Sequence, residues 1–157
     1  MASELSAIEW VIGRSRIIDV IVGIANAMDA KNWQKLRSYL AGEINIDYSD
    51  FRGEPPQQIT AEAYVQQRIE GLTDLKTLHI STNHEVTISQ DYAQCRSAYR
   101  IYRFDAAREL GQDRLDTAGN YEHQLIQVKG EWRVTAIKQT VVMLSGDRQV
   151  HGGLRNS

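Results

Sequence analysis

Side chains that can transfer protons or donate hydrogen bonds recur at every second position of three strand-like segments. They are His79 in the first segment, Tyr99 and Arg103 in the second, and Tyr121 and His123 in the third. If these faces line a cavity, its wall is too polar for a dry core, because each buried unpaired polar group costs roughly 1–3 kcal/mol. The pattern therefore indicates a hydrated pocket in which an imidazole could move protons.

An acid and a phenol lie where the first apolar helix ends and in the short strand that follows. Asp29 closes the helical run, and Asp47 and Tyr48 are neighbours in the strand. A carboxylate at a helix C-terminus opposes the helix macrodipole. Asp29 is therefore either a solvated residue near the helix end or a residue that reaches inwards. Alternation places Asp47 on the face opposite Tyr48, where we expect it to be solvated.

Several of these residues also have a purely structural interpretation. His79 could be a core histidine whose hydrogen bonds are satisfied, and Arg103 could pair with Asp105 or Glu122 at the surface. His123 is interpreted as structural because its position on the strand is towards the rim. The tyrosines are good strand formers and need no function.

The elements that must position these side chains begin with helices. Apolar residues recur at helical spacing over residues 5–13 and 17–28, which predicts two helices. Asn32 and Thr60 are candidate N-caps for two further helices, over residues 33–40 and from Thr60 to Ile69. Residues 51–58 contain both prolines of the chain and are predicted to form a loop.

After Gly71 the apolar pattern changes to a period of two. Residues 75–88, 92–104, 121–128 and 132–143 are predicted to be strands, and the polar residues 105–119 a mobile connection. Helices followed by long antiparallel strands indicate an α+β fold. We expect the N-terminal helices to pack on a strongly curved, mostly antiparallel sheet, giving a cone that encloses a pocket.

The bulk properties set the class of protein. The 157 residues form one domain, residues 1–146, followed by a tail at 147–157 that is interpreted as frayed rather than as a lid. A net charge of -2 gives no reason to expect a nucleic-acid or membrane partner. Neither the four histidines nor the single Cys95 has metal-ligand spacing, so we expect no metal site. The N-terminus lacks a signal-peptide pattern, and the expected location is cytoplasmic.

Four short stretches, in this order and at this spacing, carry a resemblance to a known family. They are MDAKNWQKL, IDYSDF, LKTLHISTN and GEWRVTAIK. In them the chain resembles the NTF2-like superfamily, in its SnoaL-like branch, and most closely the scytalone dehydratase group. The resemblance extends from the first helix to Met143, and it implies the same cone fold.

The resemblance also implies a catalytic pair, Asp29 and His79, that works without a cofactor. A carboxylate that accepts a hydrogen bond from one imidazole nitrogen fixes the tautomer, which leaves the other nitrogen to act as general base and then as acid. Tyr48 would donate a hydrogen bond to a substrate carbonyl and stabilise the developing enolate. The residues expected to bind the substrate are Arg103, Tyr121, Tyr99, Met28 and Ile101.

The chain departs from the dehydratase pattern at several positions. Met28 replaces a second tyrosine, Arg103 replaces a second histidine, and Tyr121 or Asn120 falls where an asparagine is expected. An arginine does not serve as a general acid as histidine does, but it can clamp an anion or a polarised oxygen. Related dehydrochlorinases carry an arginine where this chain has Ile137. The pocket is thus expected to suit a different substrate.

These observations lead to two hypotheses. The first is a cofactor-independent lyase or isomerase, of the dehydratase or cyclase kind, that removes a proton from a small hydrophobic cyclic metabolite. The second is a non-catalytic domain that binds a small ligand or serves in oligomerisation, since the fold alone does not determine function. In either case we expect a homo-oligomer, a trimer or a dimer, with Val141 and Met143 facing outwards from the sheet.

Overall fold

One long helix opens the protein and carries an acid at its C-terminal end. The structure is a computed structural model that describes residues 5–152. Helix α1 spans Ala7–Asp29 and begins with a capping box between Ser6 and Glu9. The prediction of two helices was wrong, because one glycine, Gly13, costs a helix interior only about 1 kcal/mol. No helix within residues 5–152 has the length and apolar character needed to cross a bilayer.

Three shorter helices follow. Helix α2, Trp33–Ser38, has Asn32 as its N-cap, and α4, Ala61–Leu72, has Thr60, as predicted. The predicted loop, residues 51–58, is irregular at 53–56, but its first two residues end a helical turn, α3, at Ser49–Arg52, and its last two begin an edge strand at Gln57–Thr60. The turn forms because the Asp47 carboxylate accepts hydrogen bonds from the backbone and hydroxyl of Ser49.

Six strands form one curved sheet. They are β1 Leu40–Asp47, β2 Gln57–Thr60, β3 Lys76–Ser89, β4 Tyr92–Phe104, β5 Arg114–Val128 and β6 Glu131–Gly146. The order across the sheet is β2-β1-β6-β5-β4-β3, and all pairs are antiparallel except β1 with β6. The expected α+β fold, with helices packed on a mostly antiparallel sheet, is confirmed.

Strand β5 begins earlier than predicted. It starts at Arg114, so that Leu115 pairs with Arg103 and the connection from β4 shortens to residues 105–113. The polar character of residues 114–119 hid an alternation in which Leu115, Thr117 and Gly119 face the core. This longer strand gives Arg103 a partner inside the sheet, since Thr117 lies next to it.

A β-bulge in the last strand changes which residues face outwards. Ala118 pairs with Met143 and Gly119 with Val141, which leaves Val142 as the extra residue. Val142 and Met143 are both exposed, whereas Val141 packs against the core. The outward orientation predicted for Met143 is observed, and that predicted for Val141 was wrong because the bulge shifts the alternation.

The segment after β6 packs against the domain. A 3-10 turn covers Arg148–Val150, the Val150 side chain is fully buried, and His151 is 4% exposed. The Arg148 guanidinium donates to the carbonyl of Phe51 at 3.0 Å. A frayed segment was expected from its composition, but in residues 147–152 two side chains reach the core. Residues 153–157 of the predicted tail lie outside the described residues.

Candidate active site

The last residue of α1 meets the N-terminal part of β3. The Asp29 carboxylate lies 2.5 Å from Nδ1 of His79 and accepts the backbone N–H of the same residue at 2.7 Å. Thr77, two residues earlier on the strand, donates its hydroxyl to Asp29 at 2.8 Å. The two sequence segments are therefore joined by three hydrogen bonds, which fix both the carboxylate and the imidazole ring.

The contacts of Asp29 explain why an acid is tolerated at this helix end. Lys31 donates to the Thr77 hydroxyl at 3.0 Å and places a positive charge beside the carboxylate. Burial on its own would raise the pKa of Asp29, but the hydrogen bonds from His79 and Thr77 outweigh burial and lower that pKa. Asp29 is therefore ionised at neutral pH, and the solvated alternative does not describe it.

His79 is held in the neutral form. Its side chain is only 7% exposed. Burial lowers the pKa of His79, and the charges of Arg103 and Lys31 act in the same direction, while Asp29 opposes them. Because an ionised carboxylate can only accept a hydrogen bond, Nδ1 carries the proton. Nε2 has no hydrogen-bond partner among residues 5–152 and keeps its lone pair, as a general base requires.

The imidazole stands between two compartments of one cavity. Both compartments are lined by Met28, Tyr48, Tyr64, His79, Ile101 and Tyr121. The first is apolar, has a volume of about 30 Å³, and is closed by Ile21, Ile24 and Ile137. The second is polar and has a volume of about 20 Å³. A reacting molecule that touches His79 can thus place an apolar part on one side and a polar part on the other.

The polar compartment contains an unusual set of cations. Arg52, Arg68 and Arg103 line it together with His151 and Gln139. Arg103 is 3% exposed and donates to the Thr117 hydroxyl at 3.0 Å. Burial lowers the pKa of Arg103 to about 10, so the group stays charged at neutral pH. The surface pairing considered for Arg103 is therefore not found; its side chain belongs to the cavity wall.

Three tyrosines supply hydroxyl groups at this junction. The Tyr48 and Tyr64 hydroxyls are 3.0 Å apart, and the Tyr121 hydroxyl accepts a bond from Gln139 at 3.0 Å. Burial raises the pKa of Tyr48 and of Tyr121 well above the ordinary value of a phenol. Both therefore remain protonated and can donate to an oxygen that gains negative charge.

The structure brings the predicted site residues together around one cavity, with Asp29 behind the His79 ring. Met28 and Ile101 touch both compartments. Tyr99 lines the apolar one and donates to the carbonyl of Thr140 at 3.3 Å. His123 was interpreted from the sequence as structural. It lines the apolar compartment and is 5% exposed, and burial lowers its pKa to about 4.

Sequence reasoning missed the contribution of α4. Tyr64 and Arg68 stand four residues apart and share a face with the buried Ala61, Val65 and Leu72. The signal was present in the sequence: an arginine occupies a position on that stripe where an apolar residue is expected. Arg52 and His151 were missed as well, because the segments that contain them show no regular spacing of apolar residues.

Comparison with known proteins places this geometry in a family. Residues 12–138 match the SnoaL-like domain. The chain belongs to the SnoaL-like family. Dehydratase cfoI of Aspergillus candidus is 25% identical over 146 residues, covering 83% of each chain. Scytalone dehydratase arp1 of Aspergillus fumigatus is 26% identical over 131 residues, 78% of this chain and 77% of that protein.

A solved structure shows the same fold as this SnoaL-like chain. The Kfla4162 protein from Kribbella flavida superimposes with a TM-score of 0.82 at 24% identity, covering 89% of this chain and 95% of that one. The resemblance to the NTF2-like superfamily and the scytalone dehydratase group is thereby confirmed.

Within residues 5–152 no group of three or more histidine, cysteine or acidic side chains is arranged to hold a metal ion.

Proposed function

We propose that this SnoaL-like protein is a lyase of the dehydratase type, which removes a proton next to the carbonyl of a small cyclic metabolite. The observation that carries the proposal is the Asp29–His79 pair, with Nδ1 bound at 2.5 Å and Nε2 left for the cavity. The dehydratase relatives support the same reaction class.

The chemistry follows from the positions of the protons. Nε2 of His79 takes the proton from the carbon, the electron pair of that C–H bond forms a double bond to the carbonyl carbon, and the π pair of the carbonyl moves onto its oxygen to give an enolate. The hydroxyl of Tyr48 or Tyr121 donates to that oxygen and stabilises its charge. When the enolate collapses, the C–O bond at the β carbon breaks, and the departing hydroxide takes the proton from Nε2 to leave as water.

Asp29 acts through His79 rather than on the substrate. Its negative charge stabilises the imidazolium that forms after proton abstraction, and its hydrogen bonds hold the ring in one orientation. General acid–base catalysis by a positioned group contributes typically 10²–10⁴-fold in rate. His84, the second histidine of β3, does not replace the imidazole, because it bonds Ser81 and does not line the cavity.

The experiment compares the two histidines of β3. A panel of cyclic β-hydroxy ketones, scytalone among them, is incubated with the wild type, and enone formation is followed by ultraviolet absorbance. Exchange of the acidic C–H is followed by NMR in D₂O. We expect His79→Gln to lose at least about 10²-fold in turnover, whereas His84→Gln keeps the wild-type rate. Turnover that survives in His79→Gln contradicts the mechanism. Ligand binding without exchange across the panel favours a non-catalytic binding domain.

A further inference from the structure

Among the described residues, three positively charged side chains and no acid line the polar compartment. The part of the chain that the structure describes contributes Arg52, Arg68 and Arg103 to its lining and no aspartate or glutamate. Arg68 is 7% exposed and Arg103 is 3% exposed. Lysine and arginine are almost never this buried unless they are paired. An anion that enters the cavity would be the missing partner.

The unpartnered atoms form a recognisable shape. Nε and Nη2 of Arg68 are both buried and make no hydrogen bond with the described residues. These two nitrogens form one edge of the planar guanidinium, which is the edge that binds a carboxylate through two parallel hydrogen bonds. Nε of Arg103 and Nε of Arg52 are also without a partner within residues 5–152.

The guanidinium groups are held in place by contacts that leave their charge uncompensated. Arg68 lies 5.3 Å from the ring centre of Tyr48 and 4.8 Å from that of Tyr64. Arg52 lies 5.3 Å from the Tyr48 ring, and the third arginine of the compartment lies 5.4 Å from the Phe51 ring. Stacking on aromatic faces fixes the orientation of an arginine while its N–H groups stay available. The site is therefore built before any ligand arrives.

The three charges act on the same small volume. Burial lowers the pKa of His151 far below its ordinary value, and the charges of Arg103, Arg68 and Arg52 act in the same direction. The compartment therefore has a positive potential throughout, and water-poor surroundings strengthen its effect on an anion.

We infer that the polar compartment binds the carboxylate of the substrate, with Arg68 as the two-pronged contact and Arg103 and Arg52 beside it. The unpartnered Nε–Nη2 edge of Arg68 matches the two oxygens of a planar carboxylate. Because His79 lines both compartments, a carboxylate at the arginines directs the apolar ring of the substrate past Nε2 towards the isoleucines of the apolar compartment. The inference rests on the proposed function only in taking the bound anion to be part of the substrate.

The test uses two inert probes that differ in charge, benzoate and benzamide, measured by isothermal titration calorimetry at pH 7. We expect the wild type to bind benzoate at least about tenfold more tightly than benzamide, since a hydrogen-bonded charge pair out of water exceeds a neutral contact by this much. In Arg68→Met the preference falls to near equality, and Arg68→Lys, which keeps the charge but not the two-pronged edge, gives an intermediate value. Arg96→Met, on the exposed side of β4, is the control and keeps the full preference.

Two further measurements separate the alternatives. Benzoate and benzamide do not react, so the binding preference can be measured whether or not the proposed elimination occurs. Circular dichroism and thermal melting confirm that each variant folds; because an unpaired buried charge is removed, Arg68→Met should melt at or above the wild-type temperature. Equal binding of benzoate and benzamide by the wild type, or an undiminished preference in Arg68→Met, overturns the inference. Inorganic phosphate that displaces benzoate at equal concentration overturns the assignment to a carboxylate.

Discussion

Replacing Asp29 by asparagine tests the central pair with the smallest change in shape. One oxygen of the carboxylate accepts from Nδ1 of His79 and from Thr77, and the other accepts from the His79 backbone N–H. An amide has a single oxygen, so one side of the substituted side chain must point an NH₂ group at a donor. Asp29→Asn therefore breaks at least one of the three bonds in every orientation of the amide.

The two orientations have different chemical results, and both reduce activity. If the amide nitrogen faces the ring, Nδ1 must become the acceptor, the proton moves to Nε2, and the base is lost. If the oxygen faces the ring, the tautomer is kept but the charge that stabilises the imidazolium is gone. We expect kcat/KM to fall by about 10²–10⁴-fold, which corresponds to about 2.7–5.4 kcal/mol of transition-state stabilisation.

Stability should change less than activity. Loss of a hydrogen bond to a charged group costs about 1.5–3 kcal/mol, and we expect Asp29→Asn to reduce the free energy of unfolding by that amount. Urea denaturation measures the change in the free energy of unfolding. Steady-state kinetics on a substrate identified in the panel measure the change in kcat/KM. Asp19→Asn, an exposed acid on the same helix, is the matched control and should change neither quantity. If Asp29→Asn keeps kcat/KM close to that of the wild type, the pair has no catalytic role.

Two further predictions concern pH. Removing the positive charge in Arg103→Met should raise the pKa of His79, because Arg103 lowers it in the native protein; an NMR titration of the His79 ring that gives the same or a lower pKa contradicts the assigned electrostatics. His123 has a folded pKa of about 4 against about 6.5 when unfolded, so the unfolded state binds its proton first as the pH falls. The free energy of unfolding of the wild type should therefore fall by about 3 kcal/mol between about pH 6.5 and about pH 4, a loss that His123→Phe does not show. Equal pH dependence of the unfolding free energy in the two proteins, measured by urea denaturation, refutes this.

Much of the architecture could be predicted because it depends on local periodicity. The N-caps Asn32 and Thr60 and the strands β3 and β4 follow from residue type and alternation. The break predicted near Gly13 is absent because a single glycine costs a helix interior only about 1 kcal/mol, which is too little to end a helix of this length. The packing of the segment after Gly146 was not predicted, because two buried side chains are too few to produce a recognisable periodicity.

The candidate site, too, could be predicted only in part from the sequence. Sequence alternation put Tyr99, Ile101 and Arg103 on a common face, and the family resemblance brought Asp29 and His79 together before any coordinates. The arginine cluster was not predicted, because its other two members belong to α3 and α4 and reach the wall formed by β4 only in the folded chain.

The sequence by itself determined the N-caps of α2 and α4, the long strands β3 and β4 and, through the family resemblance, the identity of the proposed proton-transferring pair. Only the tertiary structure decided that this pair stands at the boundary between an apolar and a cationic compartment. The physical reason is that periodicity reports which side of an element is buried but not which other elements share that burial. Whether Arg68 meets an acid, water or a ligand depends on the curvature of the sheet and the docking of α3 and α4, and these are properties of the whole fold.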